Sequence, residues 1–180
     1  MKKEELEKLL SHGDDDFKLY PIDRYLHALA TERRMPALAI GVCTIRIEEA
    51  APALRAVLAR AADGDVLSLD DERLLFRGLH ILGGARDTQA CQSLLRLLRR
   101  PGREVDGLLG DAITETLPRI FAGMFDGDVQ ALFNTIADRN VDEFTRDVLL
   151  SAAAFLTWDG AHRARPDAGL SRAVPCREDG

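Results

Sequence analysis

Aromatic side chains are scarce in this sequence, at 6% of 180 residues, with a single tryptophan, Trp158. A core must therefore be assembled from Leu, Ala, Ile and Val, a composition that favours helices. Cysteine is scarcer still: Cys43, Cys91 and Cys176 are odd in number, far apart and never spaced as a CxxC pair. That excludes a disulfide framework and a zinc knuckle, and it fits a reducing compartment. The four histidines, His12, His27, His80 and His162, have no Cys or second His one helical turn away, so no transition-metal site is expected. No stretch reaches the roughly 18 uninterrupted apolar residues of a membrane span. Met1 to Lys8 carries charge where a secretory signal needs its apolar segment, so a cytoplasmic protein is expected.

Recognisable reaction motifs are missing too. There is no Gly-rich phosphate loop, no GxSxG elbow and no HExxH pair, so no cofactor is expected. Asp14-Asp15-Asp16 and Asp63-Gly64-Asp65 are acidic, but an EF-hand loop counted from Asp63 would need Gly and Glu where Ser68 and Leu74 stand. The net charge of −6 argues against nucleic acid as a partner, because the molecule as a whole repels a phosphate backbone.

What is present is helical periodicity. Leu6, Leu9 and Leu10 mark a short amphipathic helix over 3–11, and Ile22, Tyr25, Leu26 and Leu29 mark a second up to Arg33, with Pro21 suited to its first turn. Pro36 opens a short helix through Val42, and Ile47 to Ala61 forms a longer one that ends at Asp63-Gly64-Asp65. Between 68 and 158 five helices are expected. Leu75, Leu79 and Leu82 line the first, closed by Gly83-Gly84; Ala90 to Leu98 line the second, with Asp87 as N-cap. The third carries Leu109, Ile113, Leu117, Ile120 and Phe121, with a kink expected at Pro118. The fourth, after Asp126-Gly127-Asp128, carries Val129, Leu132, Phe133 and Ile136. Asn140 and Glu143 resemble a capping box for the fifth, whose stripe is Phe144, Val148, Ala152 and Phe155, with Trp158 read as packing near its end. Nothing alternates like a strand.

Glu72, Gly107 and Glu143 recur at about 35 residues, the period of stacked helical pairs. The expected fold is all-α: a short right-handed α-solenoid of HEAT-like hairpins. One domain spans 1–160, with capping helices over about 3–33 and repeats over about 36–158. From Ala161 to Gly180 the Arg, Pro and Gly residues break the pattern, and a disordered tail is expected.

Two stretches carry a family resemblance: Met35-Pro36-Ala37-Leu38-Ala39-Ile40 with Arg46 to Leu54, and Leu109-Gly110-Asp111-Ala112-Ile113-Thr114-Glu115 with Phe125-Asp126-Gly127-Asp128. They resemble the bacterial family of domain of unknown function 1186 over roughly residues 35–160, and Asp142-Glu143-Phe144-Thr145-Arg146 adds to the likeness. The resemblance implies a HEAT-like helical protein that, in many members, ends in a Cys-rich metal-binding motif. Here Cys176 has no second Cys or His nearby, so no metal site carries over. The change of composition after Gly160 suggests a truncated chain or a shifted reading frame.

Two sets of residues invite a functional reading. Asp111 and Glu115, four apart on one helix, could do acid–base or metal work, with Arg119 a further four on in the same groove. The same spacing is met by a helix-dipole charge and a Glu115–Arg119 ion pair. Arg96, Arg99, Arg100 and Arg103 could meet phosphate or an acidic partner, or stabilise a helix C-terminus. A noncatalytic scaffold for a protein or peptide partner is the first expectation; an enzyme built on Asp111 and Glu115, or a nucleic-acid contact through the arginines at 96–103, are the others. The stripe over 142–157 has no following helix to cover it, so a homodimer through that segment is one way to hide it.

Overall fold

A computed structural model describes the backbone of residues 20–163 and the side chains of 20–158. The expected helix over 3–11, the Asp14-Asp15-Asp16 loop and the tail from 164 onward lie outside the described residues. Among those described there are ten α-helices and no strand. They are α1 (Ile22–Thr31), α2 (Ala37–Ile45), α3 (Ile47–Asp63), α4 (Leu69–Gly84), α5 (Cys91–Leu98), α6 (Gly102–Leu109), α7 (Ala112–Glu115), α8 (Leu117–Met124), α9 (Val129–Ala137) and α10 (Glu143–Arg163). A 3-10 turn, Thr88–Ala90, precedes α5.

Local chemistry sets most boundaries. Pro21 and Pro36 stand at the N-caps of α1 and α2, one residue outside the first turn. Gly64, at φ 93°, ends α3 in the left-handed conformation that glycine adopts without a Cβ penalty. Ser68 and Asp71 form a reciprocal capping box on α4. Asp87 caps the 3-10 turn by accepting from the Gln89 amide, rather than capping α5 directly. Asp128 accepts from the Ala131 amide at the start of α9.

The single third helix expected from periodicity is three helices. Gly110 (φ 51°, ψ −138°) breaks the chain after α6, and Thr116 (φ −123°) breaks it again after the one-turn α7. Pro118 then falls in the first turn of α8, where its missing donor costs nothing, so the chain restarts instead of kinking. Asp142 rather than Asn140 meets the free amides of α10, accepting from Phe144 and Thr145 at 3.0 and 3.4 Å. Asn140 is held back in the loop, donating its amide and side chain to Asp138. Helix α10 continues to Arg163, past the boundary expected at 160, because a glycine such as Gly160 costs a helix only about 1 kcal/mol.

Helices distant in sequence pack in succession: α1 on α4, α4 on α8, and α8 on α10, while α3 pairs with α4 and also packs on α5. One core runs through them, from Leu29 and Leu58 through Leu82 and Leu98 to Phe121 and Leu149, all fully buried. The tightest crossing is α4 on α8. A Cβ on Gly123 would stand 2.2 Å from the Gly83 carbonyl oxygen, and one on Gly83 would stand 2.9 Å from the Ile120 Cα. Both obstacles are backbone, which cannot rotate aside.

Arginines tie helix ends together. Arg77 of α4, 9% exposed, donates to the Leu29, Glu32 and Arg34 carbonyls at 2.6, 2.8 and 3.2 Å, satisfying the end of α1. Gly123→Ala should cost about 1–3 kcal/mol of stability in urea unfolding, because overpacking meets backbone on the far side. Gly107→Ala, in α6 with open space around it, should be neutral or stabilising by about 0.5–1 kcal/mol. Equal costs at the two positions would contradict the close crossing.

Candidate functional site

Helix α6, the Gly110 break and the start of α10 enclose a cleft of about 410 Å³. One wall is apolar, from Val105, Ile113 and Phe144; Arg103, Asp106 and Asp111 bring charge of both signs. Gly102 lets α6 press against Asp142, since a Cβ there would stand 2.7 Å from its carboxylate. Asp142 is engaged in capping α10, whereas Asp106 and Asp111 are exposed. Gly110 supplies the turn that only glycine makes freely, and that turn swings Asp111 to the cleft edge.

The sites read from the sequence are redistributed. Asp111 lines the cleft, but Glu115 and Arg119 do not, because the breaks on either side of α7 end the continuous helix that would have aligned all three. Glu115 is exposed, and the Arg119 guanidinium lies over the Phe155 ring at 5.7 Å instead of pairing with Glu115. Arg103 is the one residue of the arginine group that reaches the cleft. Arg96 faces Asp63 at 3.4 Å. Arg99 donates to the Thr135 hydroxyl at 3.1 and 2.8 Å, and that fully buried Thr135 in turn donates to the Ala131 carbonyl at 2.8 Å. Arg100 binds the Ala61 carbonyl at the end of α3 and the Glu104 carboxylate. Three of the four arginines are thus cross-ties within the fold.

Periodicity missed Asp106, Phe144 and Gly102 as cleft residues. The signal available was the pair of glycines, Gly102 and Gly110, bracketing an eight-residue helix whose exposed face carries charge. A second groove, about 200 Å³, lies beside α3, where Arg55 donates to both Asp87 oxygens at 3.2 Å. That ion pair engages two of its polar side chains, and Glu48, Arg86, Thr88 and Gln89 line it as well. Among the described residues no group of three or more His, Cys, Asp or Glu is placed to hold a metal ion, and no helix is long and apolar enough to cross a membrane.

The cysteines that are described sit in the core. Cys43 and Cys91 are fully buried, and burial pushes each thiol up to about 11 from its ordinary 9.0. Trp158, expected to pack, is 67% exposed. Phe133 and Val129, expected on the buried stripe of α9, are half exposed, because Leu132 and Thr135 take the inward face.

This is therefore an all-helical protein with one of its concavities assembled from its α6–α7 break and the head of α10. A family model described as "Protein of unknown function (DUF1186)" matches residues 22–162, and the chain belongs to that family. No curated protein and no solved structure matches it. The resemblance stretches Leu109 to Glu115 and Asp142 to Arg146 meet at the cleft.

Two measurements follow from these placements. Arg99→Ala and Thr135→Val should each lower unfolding free energy by about 1–2 kcal/mol, whereas Arg103→Ala should change it by less than about 0.5 kcal/mol; equal effects would contradict the division of roles. The thiol shifts predict that stability falls as pH rises from about 9 to about 11, since the unfolded chain releases protons that the folded chain keeps. A Cys43→Ala/Cys91→Ala variant should show a shallower loss across that window than the parent, and parallel curves would contradict the shift.

Proposed function

We propose that this chain is a noncatalytic scaffold that binds a protein or peptide partner, folded as a short right-handed solenoid of HEAT-like helical pairs. The succession α1, α4, α8, α10, backed by α3 on α5, supports the solenoid reading: each pair covers a stripe that its neighbour leaves bare. The cleft between α6, α7 and α10 is where the partner seats. The observation that carries this is its lining, an open apolar wall edged by Arg103 and by Asp106 and Asp111, which suits a peptide carrying both an apolar side chain and charge.

An enzyme built on Asp111 and Glu115 has less support, because Glu115 lies outside the cleft and Arg119 is turned to Phe155. A nucleic-acid contact through the arginines at 96–103 has less support too, because Arg96, Arg99 and Arg100 already hold partners within the chain.

The test is selection of a displayed peptide library on the purified protein. Ligands should emerge whose affinity falls at least about tenfold, or about 1.4 kcal/mol, in Asp106→Lys and in Arg103→Glu, and is unchanged in Glu115→Gln. Failure to recover any ligand, or ligands indifferent to both cleft changes, would count against the reading.

A further inference from the structure

Asp142 touches both walls of the cleft. Its Oδ1 accepts from the Phe144 and Thr145 amides at 3.0 and 3.4 Å, which fixes the first turn of α10 and with it the backbone that carries the Phe144 ring. Its other edge meets α6: a Cβ on Gly102 would stand 2.7 Å from the Asp142 Oδ2, 2.8 Å from its Cγ and 3.1 Å from its Cβ. Gly102, Asp142, Phe144 and Thr145 all line the cleft. One short side chain is therefore gripped by one wall and pressed by the other.

The two walls are held by different neighbours. Helix α6 packs on α4 and α5, and α10 on α8 and α9, with the one-turn α7 touching both. The Gly102–Asp142 contact spans the gap directly. The Asp142 carboxylate cannot turn away from Gly102 without drawing Oδ1 off the amides it holds. A group larger than hydrogen at position 102 thus forces one of two changes. Either the walls move apart, or Asp142 turns and frees the amides under Phe144; the Phe144 wall shifts relative to α6 in both cases.

We infer that Asp142 is the positioning residue of the cleft, a spacer between α6 and α10 that sets the width of the gap and passes movement of α6 to the Phe144 wall. Gly102 is its counterpart, small enough that the spacer alone decides the distance. The coupling of the two helices follows from this geometry whether or not a peptide binds. Its role in gauging a ligand rests on the scaffold function proposed above.

Local helix chemistry and this coupling predict opposite signs. Alanine in place of glycine favours a helix, and Gly102 has no positive φ that would strain the change. Taken alone, Gly102→Ala should leave the chain as it was or tighten it. With the spacer in place it should loosen the head of a different helix, α10.

The test is amide exchange by nuclear magnetic resonance on the isotope-labelled full chain, with the fully buried Leu82 and Phe121 as core references. In Gly102→Ala the Phe144 and Thr145 amides should exchange at least about threefold faster, the scale of a weakened helix cap, while the references hold. Asp142→Asn, equal in size and able to cap, should behave as the parent. Asp142→Ser keeps a capping oxygen but lacks the carboxylate that fills the gap, so Gly102→Ala/Asp142→Ser should return the two amides to parental rates. Peptides selected on the parent should bind Gly102→Ala at least about threefold more weakly and regain their affinity in the double variant.

Parental exchange in Gly102→Ala overturns the inference, and so does a faster rate that the double variant leaves unchanged. If Gly102→Ala does not fold, recovery of the fold in the double variant supports the contact, and no recovery overturns it. Exchange as expected, with peptides that bind Gly102→Ala as well as the parent, overturns the gauging role. Failure to select any peptide counts against the scaffold function and leaves the exchange rates to decide the coupling.

Discussion

The position of α8 depends on two glycines meeting across a helix crossing. Gly83 and Gly123 bring the backbones of α4 and α8 so close that a methyl group on Gly123 would overlap a carbonyl oxygen. Helix α4 already packs on α1, α2 and α3, so α8 is set against an element that other helices hold in place. Helix α10 then packs on α8, and the head of α10 forms one wall of the cleft. The crossing is thus upstream of the cleft. A small displacement of α8 would alter the spacing between α7 and α10 that opens the cleft.

Arginine does in this protein what a larger aromatic core does elsewhere. The apolar interior is built of small and branched side chains, and the ends of helices are joined by guanidinium groups reaching carbonyls in other pairs. Arg77 satisfies the last turn of α1, Arg100 the last turn of α3, and Arg99 ties α5 to α9 through Thr135. The Arg77 bonds meet acceptors left free at the end of α1, the Arg100 bond adds to an Ala61 carbonyl that the Gly64 amide already reaches, and all three arginines fix an orientation that leucine packing alone leaves soft. A consequence is that arginine density in the sequence overstates the cationic surface: of the cluster at 96–103, only Arg103 faces the cleft.

Periodicity made the helical class and most of the buried residues readable, because Leu29, Leu54, Leu82, Leu94 and Phe121 fall on stripes that no other structure would align. It failed where a stripe runs on across a break. Leu109, Ile113 and Leu117 keep helical spacing through Gly110 and Thr116, so three helices read as one, and Asp111, Glu115 and Arg119 read as one face. Glycine was the overlooked signal. Gly110 marks the break, and Gly83 and Gly123 mark the crossing, yet in sequence they look like the end and the middle of ordinary helices. The cleft was half legible: Asp111 and Arg103 could be singled out, but their meeting with Asp106 and Phe144 is a tertiary fact that no local pattern encodes.

The measurement that bears most directly on this account is proton–proton proximity between Gly83 and Gly123 by nuclear Overhauser spectroscopy of the labelled protein. Cross-peaks between their α-protons are expected, since the Gly83 Cα lies 3.3 Å from the place of a Gly123 Cβ. Their absence, with Gly123 instead showing contacts to a helix other than α4, would contradict the crossing and with it the positions of α10 and the cleft.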